Sequence, residues 1–269
     1  MKKVHMLIPA FLMGAIYIGI KSQNVNAEKS LCKVDSLRTY TVKYVQIFPS
    51  AYAYQALSQV SKAGVIEGKV VFAGQKVPEN KRKLITKDQE VCGSGYKIDK
   101  VYEFGQGNTV KNAVVYLENV KSGKPAQPKN IELKQEKCEF HPRIMAVLKG
   151  STLVIENKDP VTHEANGIFN FATIFQLSQP KQNQKDTVVL KDAGLVDVSC
   201  NIHGWMKAWI MVLDNPYYAI SDNNGSFRIE DIPPGKYKLK VWHEGFGTKE
   251  LDVEVKEGSI TRLEIAYQK

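Results

Sequence analysis

The sequence predicts an all-β chain built as two sandwiches, and three observations predict it. Residues 236–242 alternate strictly, Lys236, Lys238 and Lys240 against Tyr237, Leu239 and Val241. Residues 195–200 alternate too, with Val196, Val198 and Cys200 on one face; a period of two is the mark of a half-buried strand. Strand-length apolar runs such as 208–213 are bounded by turn-formers such as Ser221-Asp-Asn-Asn-Gly225 and Pro233-Pro-Gly235, which tolerate positive φ or preset a turn. Finally, Cys200-x-x-His203-x-x-Met206 places a thiol, an imidazole and a thioether three residues apart, directly after a strand.

That loop organises the rest of the reading. One tight loop folds all three side chains onto a single centre. A thiolate, two imidazoles and a distant thioether are the donor set of an electron-transfer copper site. The second imidazole is expected from His163. Residues 151–157 read as a strand with Leu153, Ile155 and Asn157 on one side; Lys158-Asp-Pro160 breaks it, and His163 follows. A His at the end of one strand and a Cys at the end of another meet at one pole of a sandwich. The bland alternative is a chance C-x-x-H, with Cys200 a small buried hydrophobe beside two valines. Zinc is the competing metal, but Met is a poor zinc ligand and no second C-x-x-C or H-x-x-x-H pair lies nearby. His141, in Phe-His-Pro-Arg, is a rival first ligand, expected instead to start the sandwich far from the loop. His243 ends a strand and is expected to be structural or exposed. Trp205 is expected to cover the metal or line a docking patch, and Trp209 to pack in a core.

These residues resemble the cupredoxins, the small blue copper proteins. The resemblance rests on residues 150–159, on His163, and on Cys200-x-x-His203-x-x-Met206, whose short spacing is similar to the amicyanin-like loop rather than the longer plastocyanin loop. It implies a Greek-key β-sandwich and one type 1 copper ion held by His163, Cys200, His203 and Met206. It also implies that His203 is the edge through which electrons leave. Many members carry Asn after the first His, tying the ligand loops together. Here that position is Glu164, with Asn157 or Asn166 as candidate substitutes.

The chain has 269 residues, enough for two small domains. Residues 1–27 read as a secretory signal: Lys2 and Lys3, an apolar run from Val4 to Ile20, then Val25-Asn-Ala27 before a cleavage point. The alternative is an uncleaved membrane anchor. A periplasmic or otherwise exported protein follows from cleavage. Losing Lys2, Lys3 and Lys21 lowers the formal charge from +9 to +6, a balance suited to a solvated surface and to docking an acidic redox partner. No Lys/Arg block suggests nucleic acid. All four cysteines lie in the exported part, where disulfides are permitted. Cys92 and Cys138, each beside a turn or strand edge, are the preferred pair, which leaves Cys32 free or paired with another chain.

Residues 28–63 form an extension with a short helix expected around 51–60. Strands are expected over 65–72 and 110–117, a polar basic stretch up to Val91, and a linker over 122–128. After residue 215, strands at 217–220, 226–229, 236–242, 251–255 and 261–267 complete a β set. Asp222-x-x-Gly225-x-Phe227 and Pro233-Pro-Gly235-x-Tyr237 resemble the carboxypeptidase regulatory-like, transthyretin-like sandwich. Gly68-x-Val70 and Asn112-Ala-Val-Val115 resemble that family's opening strands, yet precede the copper region. The expected layout is therefore a discontinuous sandwich of 64–129 plus 216–269, with a copper domain at 130–215 inserted; a simple tandem is the rival. Pairing of 65–72 with strands of the last fifty residues decides between them. The expected function is one-electron transport between redox proteins such as a cytochrome or an oxidoreductase. Copper carriage or sensing, and a structural sandwich with a decayed site, are the alternatives. An enzyme is not expected, because multicopper oxidases and copper nitrite reductases need H-x-H clusters and this chain has none.

Overall fold

The computed structural model describes residues 31–33, 39–41 and 54–268. The signal expected over 1–27, and the side chain of Cys32, lie outside the described residues. The chain divides into two units, 1–51 and 52–269. In the first, Leu31–Lys33 pairs antiparallel with Thr39–Thr41. All else concerns the second. No helix among the described residues is long and apolar enough to cross a membrane. The helix expected near 51–60 is absent over the described residues 54–60; Gln55–Ala56 instead pairs with Ser122–Gly123, so contact with a distant segment outweighs local propensity.

The second unit holds two sandwiches. In the first, one sheet runs Glu139–His141, Asn130–Glu136, Thr152–Asn157, Lys185–Val189; the facing sheet runs Ile144–Leu148, Lys207–Leu213, Gly194–Cys200, His163–Phe169, Ala172–Gln179. Two of the pairings are parallel, 130–136 with 152–157 and 144–148 with 207–213. Parallel neighbours need crossover connections, and here these are made by strands of the opposite sheet, giving a Greek-key sandwich. Leu133, Leu153, Ile155, Val198 and Ile210 are buried between the sheets. The alternation read over 195–200 thus turns Val196, Val198 and Cys200 inward.

The second sandwich closes on strands from both sides of this one. Gly64–Phe72 lies between Ile260–Tyr267, which is parallel to it, and Ser226–Ile232, which is antiparallel. Val114–Glu118 lies between Tyr218–Ile220 and Gly235–His243. Its turns follow from their residues. Asp222 Oδ1 accepts hydrogen bonds from the backbone N–H of Asn224 and Ser226, both at 2.8 Å. Gly225 has φ 68°, and a Cβ there would meet the Val70 carbonyl oxygen at 2.5 Å; only glycine serves both needs. The Tyr237 hydroxyl donates to the Pro233 carbonyl at 2.7 Å, which closes the Pro-Pro-Gly turn.

The sandwiches meet through Val114, Ile144, Met211, Leu213 and Trp242, all buried. Burying each large apolar side chain stabilises the contact by about 1.5–3 kcal/mol. Trp209 joins this seam, its ring 5.7 Å from that of Trp242 and its Nε1–H donating to Glu244 at 3.1 Å. Arg143 bridges Asp99 at 2.7 Å and Glu244 at 2.6 Å beside it.

His243 is buried against Phe246, Tyr102 and Tyr267. Burial, with a smaller contribution from nearby Arg143, lowers its pKa to about 4, partly opposed by a hydrogen bond to the Lys111 backbone. The folded chain therefore prefers the neutral ring. Its stabilising contribution is full above pH 6.5 and is lost as pH falls from about 6.5 to about 4, roughly 3 kcal/mol in all. Denaturant midpoints of wild type and His243→Gln across that window should converge as acid is added. Parallel curves would assign the acid sensitivity elsewhere.

Candidate metal centre

His163 opens its strand and Cys200 ends the neighbouring antiparallel one, where Ala165 faces Cys200. The two ligand segments are tied by backbone. Asn201 N–H donates to the Glu164 carbonyl at 3.0 Å, and Glu164 N–H points at Cys200 Sγ at 3.5 Å. The tie expected from a side chain after the first His thus needs none: the Glu164 main chain makes it. Asn157 has a different task. Its amide donates to the carbonyls of Val161 and Gln179, and its oxygen accepts from Asp159 N–H, which braces the turn that presents His163. No tie of this kind is described for Asn166, which is nearly buried in the same strand.

The loop 200–206 is tight. Met206 N–H donates to the His203 carbonyl at 2.9 Å, and His203 N–H approaches Cys200 Sγ at 3.4 Å. As a result, His163 Nδ1 and His203 Nδ1 lie 3.0 Å apart, and Cys200 Sγ lies 3.9 Å from the first and 3.7 Å from the second. All three side chains are buried. A point equidistant from three such atoms lies about 2.1 Å from each (the product of the sides over four times the enclosed area). First-row dications take roughly 2.0–2.1 Å from imidazole nitrogen and 2.3 Å from thiolate sulfur.

The protonation pattern points the same way. His163 Nε2–H donates to Asp159 at 2.9 Å, and His203 Nε2–H donates to Asp88 at 2.8 Å. A carboxylate only accepts, so each Nε2 carries the hydrogen and each Nδ1 is left to offer a lone pair. Two lone pairs at 3.0 Å repel unless a cation or a proton is shared between them. Burial raises the Cys200 pKa, but without a metal a proton held at the Nδ1 positions faces the sulfur, and with the N–H groups of Glu164 and His203 it outweighs burial and holds the thiol at about 5. Burial lowers the His203 pKa, and the Cys200 thiolate and Asp88 more than reverse that. The residues present fit a soft metal taken by one sulfur and two nitrogens.

Asp88 comes from outside this sandwich. It lies inside a strap in which Arg82–Leu84 pairs with Tyr96–Ile98, directly before the helix Gln89–Cys92 that joins the two strands. Ile85 and Cys92 sink into the core of the sandwich that carries His163 and Cys200, and Cys92 is bonded to Cys138. Asp159 receives the N–H groups of Lys137 and Cys138 at 2.7 and 2.8 Å as well as His163. A closed circuit therefore links the two imidazoles through Asp159, the disulfide and Asp88. Trp205 covers the remaining side, its ring 5.2 Å from that of His203 and its Nε1–H donating to the Cys138 carbonyl at 3.0 Å.

Of the ligands read from sequence, the fold brings His163, Cys200 and His203 together, and Met206 is buried at the end of their loop. His141 stays half-exposed on an edge strand. It lines, with Trp205 and Met206, a cleft of about 320 Å³. The fold adds a cover that the sequence did not suggest: Asp88 and Trp205 bury His203, the residue expected as the edge through which electrons leave. Asp88 and Asp159 escaped the sequence reading. Asp159 carries a signal, an Asp-Pro turn four residues before the ligand; Asp88 carries none. Replacing Asp88 by alanine is expected to cost copper affinity about 10–100-fold and to speed copper release to a chelator; unchanged release would leave Asp88 with no part in holding the ring.

The described residues are almost entirely β, and a Greek-key sandwich bears this buried cluster. Residues 207–268 match the Carboxypeptidase regulatory-like domain family. That match begins in Lys207–Leu213, which pairs inside the sheet that carries His163 and Cys200, and it omits Gly64–Phe72 and Val114–Glu118, far off in sequence. Among curated proteins, none matches. Among solved structures, the chain is similar to a Cu-containing nitrite reductase from Thermus scotoductus SA-01 (19% identity over 35% of this chain and 24% of that one, TM-score 0.29). It is also similar to a purple cupredoxin from Nitrosopumilus maritimus (18% identity, 30% of this chain and 98% of that one, TM-score 0.27). A third is a reduced Cu(I) form of an amicyanin variant (19% identity, 37% of this chain and 98% of that one, TM-score 0.29). This chain thus spans about a quarter of the nitrite reductase's length.

Proposed function

We propose that this chain is an exported one-electron carrier with a single type 1 copper ion held by His163, Cys200 and His203, Met206 being the distant fourth donor. The observation that carries the reading is the convergence of two imidazole nitrogens and a thiol sulfur, all buried, around one point about 2.1 Å from each. Bound copper supplies a reversible Cu(I)/Cu(II) couple. The chain supplies the rest. Two adjacent strands hold His163 and Cys200, and the tight loop 201–206 holds His203 and Met206, so their positions change little as charge comes and goes. The N–H groups of Glu164 and His203 temper the charge on the sulfur, and Trp205 with the strap excludes water. A copper carrier needs an exchangeable site, and this burial opposes exchange. The Cys92–Cys138 bond supports an oxidising compartment, in line with export to the periplasm. Among the described residues, every cluster of potential ligands includes His163 or His203, which supports a single centre. A redox protein such as a cytochrome is the partner this reading calls for.

Copper titration of the full chain tests it. One equivalent should develop an intense visible thiolate-to-copper band. A folded chain that takes up no copper, or takes it up without the band, rejects the reading. Met206→Gln should lower the reduction potential, since a harder axial donor favours Cu(II); a rise, or no change, would remove Met206 from the metal's surroundings.

A further inference from the structure

Four of the eight large apolar side chains exposed among the described residues fall between 77 and 98: Val77, Leu84, Tyr96 and Ile98. Three of them share one face of the strap. Leu84 faces Tyr96 and Arg82 faces Ile98 across the ribbon, and these side chains point outward, with Leu84 at 54%, Tyr96 at 61% and Ile98 at 48% exposure. The alternate residues point inward and are anchored: Lys83 pairs with Asp99 at 2.9 Å and Lys97 with Glu139 at 2.9 Å. The outward face is therefore held rigid against the metal-bearing sandwich. Around it lie exposed Lys76, Lys81 and Lys87, against exposed Glu79 and Glu90. An apolar and aromatic centre within a charged rim is the anatomy of a protein interface. Between its two strands the same strap carries Asp88, whose carboxylate accepts from the His203 ring.

We propose that the outward face of this strap, centred on Leu84, Tyr96 and Ile98 with Arg82 beside them, is the docking surface for an acidic redox-protein partner. It rests on the electron-carrier reading. It supplies what the burial of His203 takes away. A partner seated there meets the segment that hydrogen-bonds the ligand ring, so an electron passes by way of the strap rather than through a bare imidazole edge. The exchange is one electron, from Cu(I) in this chain to an oxidised acceptor or the reverse, with no proton or bond moved. The basic surroundings of the ribbon select an acidic partner and speed its encounter at low salt.

The test uses the full chain, both metal-free and copper-loaded, titrated by calorimetry with succinylated cytochrome c, an acidic probe, and with the unmodified basic form. The expected result is binding of the acidic form alone, weakening with salt, and at least tenfold weaker in Leu84→Ser/Tyr96→Ser and in Arg82→Glu. Thermal midpoints and the visible spectrum of these variants should match wild type. Ile174→Ser/Ile260→Ser, which changes exposed apolar residues elsewhere, should bind as wild type. Equal loss in that control, no loss in the strap variants, or equal binding of the basic form would overturn the proposal. A dimer in sedimentation that the strap variants abolish would assign the face to a second copy instead. A cross-link from position 96 to residues 28–51 would assign it to the chain's own extension. Failure of copper loading alongside retained binding by the metal-free chain would reject the electron-carrier reading and leave a docking surface for an acidic protein.

Discussion

Cys200→Ser is expected to abolish the visible band and to weaken copper binding by more than about a hundredfold, since loss of a mere outer partner of a metal ligand already costs 10–100-fold. The reason lies in what the sulfur is in this fold. Its pKa of about 5 makes it a thiolate at neutral pH, and two imidazoles and two backbone N–H groups are arranged to hold that charge. A serine hydroxyl in the same place is neutral, hard and weakly donating, so the remaining nitrogens face a metal without its soft anionic partner. The fold should tolerate the change, because the side chains are close in size. Absorption and equilibrium dialysis against copper decide the matter: a band of wild-type intensity in the serine variant would mean that Cys200 is no ligand.

The second large effect is expected from Cys92→Ser/Cys138→Ser. A cross-link closing a 46-residue span stabilises by about 4 kcal/mol in the chain-entropy account, and guanidinium unfolding of the metal-free double variant should show a loss of that order. Copper release should also quicken, because the strap that carries Asp88 loses its tether while Asp159 loses the anchorage of the 137–138 turn. Asp88→Ala separates the two consequences, since it keeps the bridge and removes only the carboxylate. If the double variant releases copper at the wild-type rate, the bridge serves folding alone.

Much of the centre was legible because its donors are packed into one loop. Cys200, His203 and Met206 are spaced by a local turn, and the alternation of Val196, Val198 and Cys200 states which way the sulfur points. His163 was legible through its strand and the break at residues 158–160. The strap was not. The stretch up to Val91 read only as polar and basic, because a ribbon whose inward residues are lysines bound to Asp99 and Glu139 carries no apolar period. The cover over His203 was illegible for the same reason: it arrives from a segment 115 residues earlier in the chain.

Local chemistry by itself determined the strands with a clear alternation or apolar run, the inward face of 195–200, the Asp222 and Pro233 turns and the donor types, since each follows from neighbours within a few residues. Tertiary structure alone decided how far apart the donor atoms stand, which nitrogen each histidine offers, and that a carboxylate closes off the ring of His203. Those are outcomes of long-range pairing, and the free energy that fixes them is spread over contacts no short stretch of sequence contains.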